Sequence, residues 1–381
     1  MNPVSPAPRK ITGPESLPTF IFAQRARLIM AGVVAALVVV GLIVAITTRS
    51  TAAVPGCAPE STSATPMQSG GITEFTMPHA ESDLMFPAVD GAGNIWFGEM
   101  HNNRLGRFSP STNTFTEWHP TGGHSGIMGL VAAKNGDIWY AELAANHIGR
   151  FTPATCHFTT YPAPQRANHG AGPNGLALAP DGRVWVTLES DDRVAVLNPQ
   201  TGAFTTYDLP NPDPKSIVFP YGIAVDRAGI VWFAELSANA IVRLDPATGK
   251  MTTHAIPTAK SQPDEITIAP DGTPWFSELT GGKIGRIDPA TGAITEFAVP
   301  TDHGPVPELY DITVTAKGIV WVTSSGANAL FRFDPAAGNW ATVTLPHPGS
   351  TPFGIVAAPD GALWFTEGAV EANRIGIHRE G

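Results

Sequence analysis

Residues 265–300, EITIAPDGTPWFSELTGGKIGRIDPATGAITEFAVP, decide the fold. Four short apolar runs alternate with turns. Residues 265–268 read as an innermost strand A, followed by the turn Ala269-Pro270-Asp271-Gly272. Residues 274–277 read as strand B, 283–287 as strand C and 294–297 as strand D, with Thr280-Gly281-Gly282 and Asp288-Pro289-Ala290-Thr291-Gly292 between them. Glycine stands where the turns need positive φ, and proline where its fixed φ fits. Four short antiparallel strands per unit make a propeller blade.

The unit recurs. Trp96, Trp139, Trp185, Trp232, Trp275, Trp321 and Trp364 follow one another at 43, 46, 47, 43, 46 and 43 residues. A period in the forties denotes a propeller or solenoid. The last unit ends after its C strand, and its missing D strand stands at the other end of the sequence. Ile72-Thr73-Glu74-Phe75-Thr76-Met77-Pro78 matches Ile294-Thr295-Glu296-Phe297-Ala298-Val299-Pro300. The prediction is therefore an all-β, seven-bladed β-propeller over residues 72–381, closed by an N-terminal strand in blade 7, which removes the open edge. Loops D-to-A and B-to-C share one face, here the top; turns A-to-B and C-to-D share the bottom. The seven tryptophans read as core between blades.

Composition agrees. At 43% hydrophobic residues the chain can bury a sizeable core, while 39 Gly, 36 Pro and only 15% charged residues favour short strands over long helices. The net charge of −10 is concentrated in the body, because residues 1–50 carry Arg9, Lys10, Arg25, Arg27 and Arg49 against Glu15. An acidic body repels phosphate backbones, so nucleic acid is not an expected partner.

Residues 28–46 (LIMAGVVAALVVVGLIVAI) carry no charge and are long enough to span a membrane as one helix. Arg25 and Arg27 precede this run and Arg49 follows it, so residues 1–27 form a cytoplasmic tail and the propeller lies outside, on a single-pass anchor in the cell membrane. A cleaved signal peptide ending near Ser50-Thr51-Ala52 is the alternative. Residues 47–71, rich in Ser, Thr and Pro, read as an extended linker that enters from below and turns the bottom face toward the membrane. Cys57 and Cys156 are the only cysteines; they either form a disulfide in an oxidising compartment or remain two thiols.

Residues that break the repeat are the better functional candidates. Eleven residues before each tryptophan, at the channel mouth, stand Met85, Met128, Asn174, Tyr221, Asp264, Tyr310 and Phe353. Mostly apolar walls with a few polar groups suit a small-molecule site, with Asn174, Tyr221, Phe353, Met85 and Met128 as substrate contacts. Glu265, Glu308 and Asp311 add carboxylates, and His79, His101, His119, His124, His169, His303 and His347 fall in top loops. Asp264 paired with Glu308 could hold a divalent metal, with His303 or Tyr310 as catalytic base. The recurring Glu99, Glu142, Glu235, Glu278 and Glu367 read either as a cation-gripping ring or, preferentially, as acceptors of backbone N–H groups.

Pro220-Tyr221-Gly222-Ile223 through Trp232-Phe233-Ala234-Glu235, with Ile284-Gly285-Arg286, resembles the streptogramin lyase (virginiamycin B lyase) family across residues 72–381. The resemblance implies a seven-bladed propeller that opens a cyclic depsipeptide by β-elimination, using magnesium and a histidine base. In that family the last two blades carry histidine at the minus-eleven position, the last preceded by a metal-binding Glu; here Tyr310, Phe353 and Thr351 stand there. Two functions follow: a metal-assisted lyase or lactonase acting on a cyclic ester, and a tethered module that binds a ligand or a protein partner. A purely structural role is a third.

Overall fold

The computed structural model describes residues 59–120, 126–166, 170–211, 216–300, 308–369 and 372–380. They form seven antiparallel sheets, each with the strand order read from the sequence. In blade 5 the strands are Pro263–Ile268, Pro274–Glu278, Lys283–Ile287 and Ile294–Ala298, within two residues of the prediction. The helix expected over 28–46 and the tail before it lie outside the described residues.

Ring closure is as predicted. Ile72–Thr76 pairs with blade 7's strand C, Arg374–His378, in the register Thr73↔Ile377 and Phe75↔Ile375. The preceding residues hold more structure than a linker. Strand β1 (Glu60–Ser63) adds to the outer edge of blade 1, and β2 (Pro66–Ser69) forms a hairpin with the closing strand β3 (Ile72–Thr76) on blade 7. Both blades thus have five strands. Both added strands are exposed along their length, so no apolar alternation announced them. Because Glu60 lies opposite Glu117, near the C-terminal end of blade 1's strand D, the chain does not enter from the side of the C-to-D turns as expected. Cys156 is disulfide-bonded; Cys57, the other cysteine, lies outside the described residues.

The core sits between neighbouring blades. Trp185 of blade 3 packs with Val231 and Phe233 of blade 4, and Trp364 of blade 7 with Phe97, Phe108 and Phe115 of blade 1. The tryptophans are core, as read. The arginine of the Ile-Gly-Arg motif lies directly across from its tryptophan and covers it, with Arg286 5.9 Å from the Trp275 ring centre and Arg150 5.5 Å from that of Trp139. The motif's glycine makes room for the aromatic residue following the tryptophan. A Cβ on Gly285 would stand 2.0 Å from the Phe276 ring, and one on Gly106 2.0 Å from Phe97. Blade 6 solves the same problem by reversing sizes, with Phe331 across from Val322, and blade 3 by shrinking both, with Ala195 across from Val186. We therefore expect Gly285→Ala to destabilise the fold by about 1–3 kcal/mol through overpacking, measured by chemical denaturation.

Candidate functional site at the channel mouth

Strand A enters the channel through a repeated backbone device. The residue just before it is left-handed in every blade: Asp83, Gly126, Gly172, Phe219, Gln262, Glu308 and Thr351 have φ of 50°, 62°, 65°, 56°, 54°, 40° and 50°. In blades 2 to 7 the A–B register then shifts within the first residues of strand A. Such a bulge re-aims side chains. It turns the minus-eleven side chain toward the axis.

A hydroxyl two residues after the tryptophan fixes this arrangement. Thr187 Oγ1 accepts from Gly175 N of its own blade at 2.9 Å and donates to Tyr221 O of the next at 2.7 Å. Thr323 does the same for Asp311 N and Phe353 O, at 3.0 and 2.8 Å, and Ser277 for Glu265 N and Tyr310 O. Sequence reasoning missed these residues, although Trp-Val-Thr, Trp-Phe-Ser and Trp-Phe-Thr recur at that position. The motif asparagines tie the top loops together: Asn146 Oδ1 accepts from Ala171 N at 2.7 Å, and Asn239 Oδ1 from Ser261 N at 2.6 Å.

The apolar members predicted from sequence do converge. Met85, Met128, Tyr221 and Phe353 form one buried cluster with Phe86, flanked by Met100, Leu143 and Tyr310. Phe353 packs tilted against Tyr310 at 4.7 Å and against Phe86 at 5.0 Å, counted between ring centres. These side chains come from blades 1, 2, 4, 6 and 7, so they meet across the axis and stopper the channel. A cavity of about 460 Å³ lies at the opposite end, beside Asp226, Arg227 and Pro270 of the A-to-B turns.

Next to this apolar cluster stand polar groups from blades 3 to 6. Asn174 donates to Glu189 at 2.6 Å. Burial, eased by that bond, puts the Glu189 carboxyl at about 7. Asp264 is 1% exposed and neither carboxyl oxygen has a hydrogen-bond partner. Burial and then the facing Asp311 push its pKa well up. Glu265 rises for the same reasons, burial first, then Asp311 and Asp264. Asp311 reaches about 7 through burial, even though it accepts from Ile355 N at 2.7 Å and Ile312 N at 2.8 Å. Burial, then Asp264, Glu189 and Glu265, raise the Tyr221 hydroxyl. Burial thus favours the protonated forms of these acids, so the mouth carries less charge than its composition suggests.

The carboxyl facing Asp264 is thus Asp311 and not Glu308, which accepts instead from Ser325 Oγ at 2.8 Å. His303 lies outside the described residues, as do His124 and His169. The recurring strand-B glutamates neither form a cation ring nor rest on backbone amides alone; they face side chains. Burial and the carboxylate of Glu117 put Glu99 at about 7, and burial followed by Glu296 puts Glu278 at about 8. Glu367 has Glu74 and Arg374 beside it, the latter at 3.4 Å.

Residues 60–305 match the virginiamycin B lyase family. The chain belongs to that family. Among solved structures it is similar to a streptogramin B lyase, at 30% identity and a TM-score of 0.73, covering 80% of this chain and 96% of that one. It is also similar to virginiamycin B lyase from Staphylococcus aureus, at 28% identity and a TM-score of 0.72, covering 80% and 98%. The same figures hold for a catalytically inactive histidine-to-alanine variant of that enzyme with quinupristin. A likeness to the extracellular domain of a putative one-component system from B. thetaiotaomicron, at 15% identity and a TM-score of 0.60, covers 80% of this chain and 39% of that one and concerns the fold alone. No curated protein matches. Within this lyase family the present chain has no histidine at any of the seven minus-eleven positions.

Proposed function

We propose that this protein is a tethered extracytoplasmic propeller whose top face captures a small, largely apolar cyclic ester or depsipeptide, of the class represented by quinupristin. The observation that carries this is the apolar cluster of Met85, Met128, Tyr221, Tyr310 and Phe353 at the channel mouth. It offers flat aromatic surface where the family resemblance would place histidines, and such surface holds a ligand without supplying a base. A disulfide-bonded Cys156 supports an oxidising location, consistent with residues 28–46 as an uncleaved anchor.

Magnesium, which the family resemblance implies, does not fit the residues at the mouth. The ion keeps several waters and demands octahedral geometry. Asp264, at 1% exposure, is too buried for an ion that keeps its waters, and Asp311 already accepts from two backbone amides.

A second reading is ring-opening elimination. It is favoured by Asp264 and Asp311 beside Tyr221, two facing carboxyls whose proton affinity burial raises, so that one can give and the other take a proton. Elimination takes the proton from the carbon beside the C–O carbon, forms a C=C bond as the C–O bond breaks and returns a proton to the released carboxylate, so the mass is unchanged.

The test is titration of the full-length protein in mild detergent with quinupristin, followed calorimetrically, with the products separated by chromatography. We expect saturable binding weakened roughly 30-fold by Phe353→Ala, as for a central aromatic contact, and no ring-opened species. A linear species of unchanged mass, lost in Asp264→Ala, would establish the second reading. Absence of binding at high micromolar ligand would end both.

A further inference from the structure

The structure assigns a zinc site to the seam between blades 7 and 1, built from Glu60, His79 and Glu117. It is independent of the channel mouth. Nε2 of His79, in the loop from the closing strand to blade 1, lies 3.0 Å from Glu117 Oε2 and 3.3 Å from Glu60 Oε2. Ligand atoms of the three residues all lie within 4.8 Å of one another, and among the described residues no other group of three His, Cys, Asp or Glu does this.

The register makes the arrangement costly without a cation. Strand β1 sets Glu60 directly opposite Glu117, and like charges across an antiparallel pair destabilise it. Glu117 is buried to a side-chain exposure of 1%; its Oε1 receives no hydrogen bond from an amide, guanidinium or hydroxyl, and faces the carboxyl of Glu99. Arg104 Nη1, 3.0 Å from Glu117 and 3.5 Å from Glu60, supplies one positive charge against the two carboxylates. One negative charge is left over, inside a cluster that already presents a ring nitrogen.

Blade 7 is the internal comparison. It carries the same parts: His347 Nδ1 is 2.8 Å from Glu74, with Glu367 and Arg374 behind. There, β2 sets Met67 opposite Glu74, where blade 1 has Glu60 opposite Glu117. The third ligand is what distinguishes a metal site from an ion pair.

One imidazole nitrogen with two carboxylate oxygens suits Zn²⁺, which takes such ligands in a four-coordinate site completed by water. Arg104 then acts from outside the ligand set, donating to the Glu117 carboxylate and orienting it. Bound there, zinc clips strand β1 onto the outer edge of blade 1 and ties it to the loop that leads in from the closing strand.

The test is calorimetric titration of the metal-stripped, full-length protein in detergent with Zn²⁺ at neutral pH. We expect one zinc per chain, with affinity reduced at least ~30-fold by His79→Ala and by Glu60→Gln, since even outer residues of a metal site are worth 10- to 100-fold. His347→Ala should bind as the parent does, and zinc should raise the melting temperature of the parent but of neither ligand variant. Glu60 is 56% exposed, so its amide variant keeps the fold intact if His79→Ala does not. No saturable zinc in the parent, or parent-like affinity in both ligand variants, overturns the assignment.

Discussion

Replacing Phe75 with alanine should cost about 3–5 kcal/mol, the range for removing a buried aromatic ring. Phe75 is 5% exposed on the closing strand, its ring 4.4 Å from that of Phe108 in blade 1 and 6.2 Å from that of Trp364 in blade 7. It belongs to the cluster that joins the first blade to the last, with Phe97, Phe115 and Ile375. Elsewhere the chain runs from each blade's strand C into its strand D, but in blade 7 those strands come from opposite ends of the sequence. The cavity therefore opens at the one place where only pairing and packing hold the ring shut. Phe297→Ala in blade 5, where the ring is 4.7 Å from Phe333, is the control, since its strand is covalently continuous with strand C. Guanidinium titrations followed by tryptophan fluorescence should show both losses, with proteolytic opening of the native state increased for Phe75→Ala alone. A loss below about 1 kcal/mol at Phe75 would mean that the seam does not hold the ring closed.

Stability should fall steeply as pH rises from about 5 to 8. Burial, with further help from Glu117, Asp192, Glu296 and Glu74 in turn, puts Glu99 and Glu235 at about 7 and Glu278 and Glu367 at about 8. Glu189 and Asp311 lie at about 7, again chiefly through burial. In the unfolded chain carboxyls release their protons near pH 4. Between those limits the folded state binds more protons than the unfolded one, so raising the pH favours unfolding. The stabilisation is complete below the unfolded values, is lost progressively above them and is gone once the pH passes about 7 to 8. A single buried carboxyl held about two pH units above its ordinary range contributes roughly 2.7 kcal/mol. Several together, partly screened, should lower stability by more than ~3 kcal/mol. Thermal melts at pH 5.5, 7 and 8.5 test this. A melting temperature that is flat or rises toward pH 8.5 would show that these groups ionise freely in the folded protein.

Legibility differed between the frame and the site. The blade period, the strand limits and the exchanged closing strand were read correctly because each depends on local signals: a tryptophan in an apolar run, a glycine turn, a matched heptapeptide. Five of the seven mouth positions, Met85, Met128, Tyr221, Tyr310 and Phe353, do come together in one cluster, since a fixed offset from the tryptophan is also local. Partnerships were less legible. Asp264 with Glu308 was the natural pairing by type, but Asp311 faces Asp264 because the A-strand bulge of blade 6 turns it inward while Glu308 stays in the left-handed turn before the strand. The segment over residues 60–69 looked like linker because an outermost strand buries no side chain and so needs no apolar pattern.

The sequence by itself determined seven blades, their order and their closure, because turn chemistry and a repeated core residue act within one unit of some forty residues. Only the tertiary structure decided that apolar side chains from five blades meet across the axis, that the strand-B glutamates face other carboxyls, and that Glu60 reaches Glu117. The reason is geometric: those contacts join residues far apart in the chain, and their approach is set by bulges, register and ring closure together, none of which one blade's sequence contains.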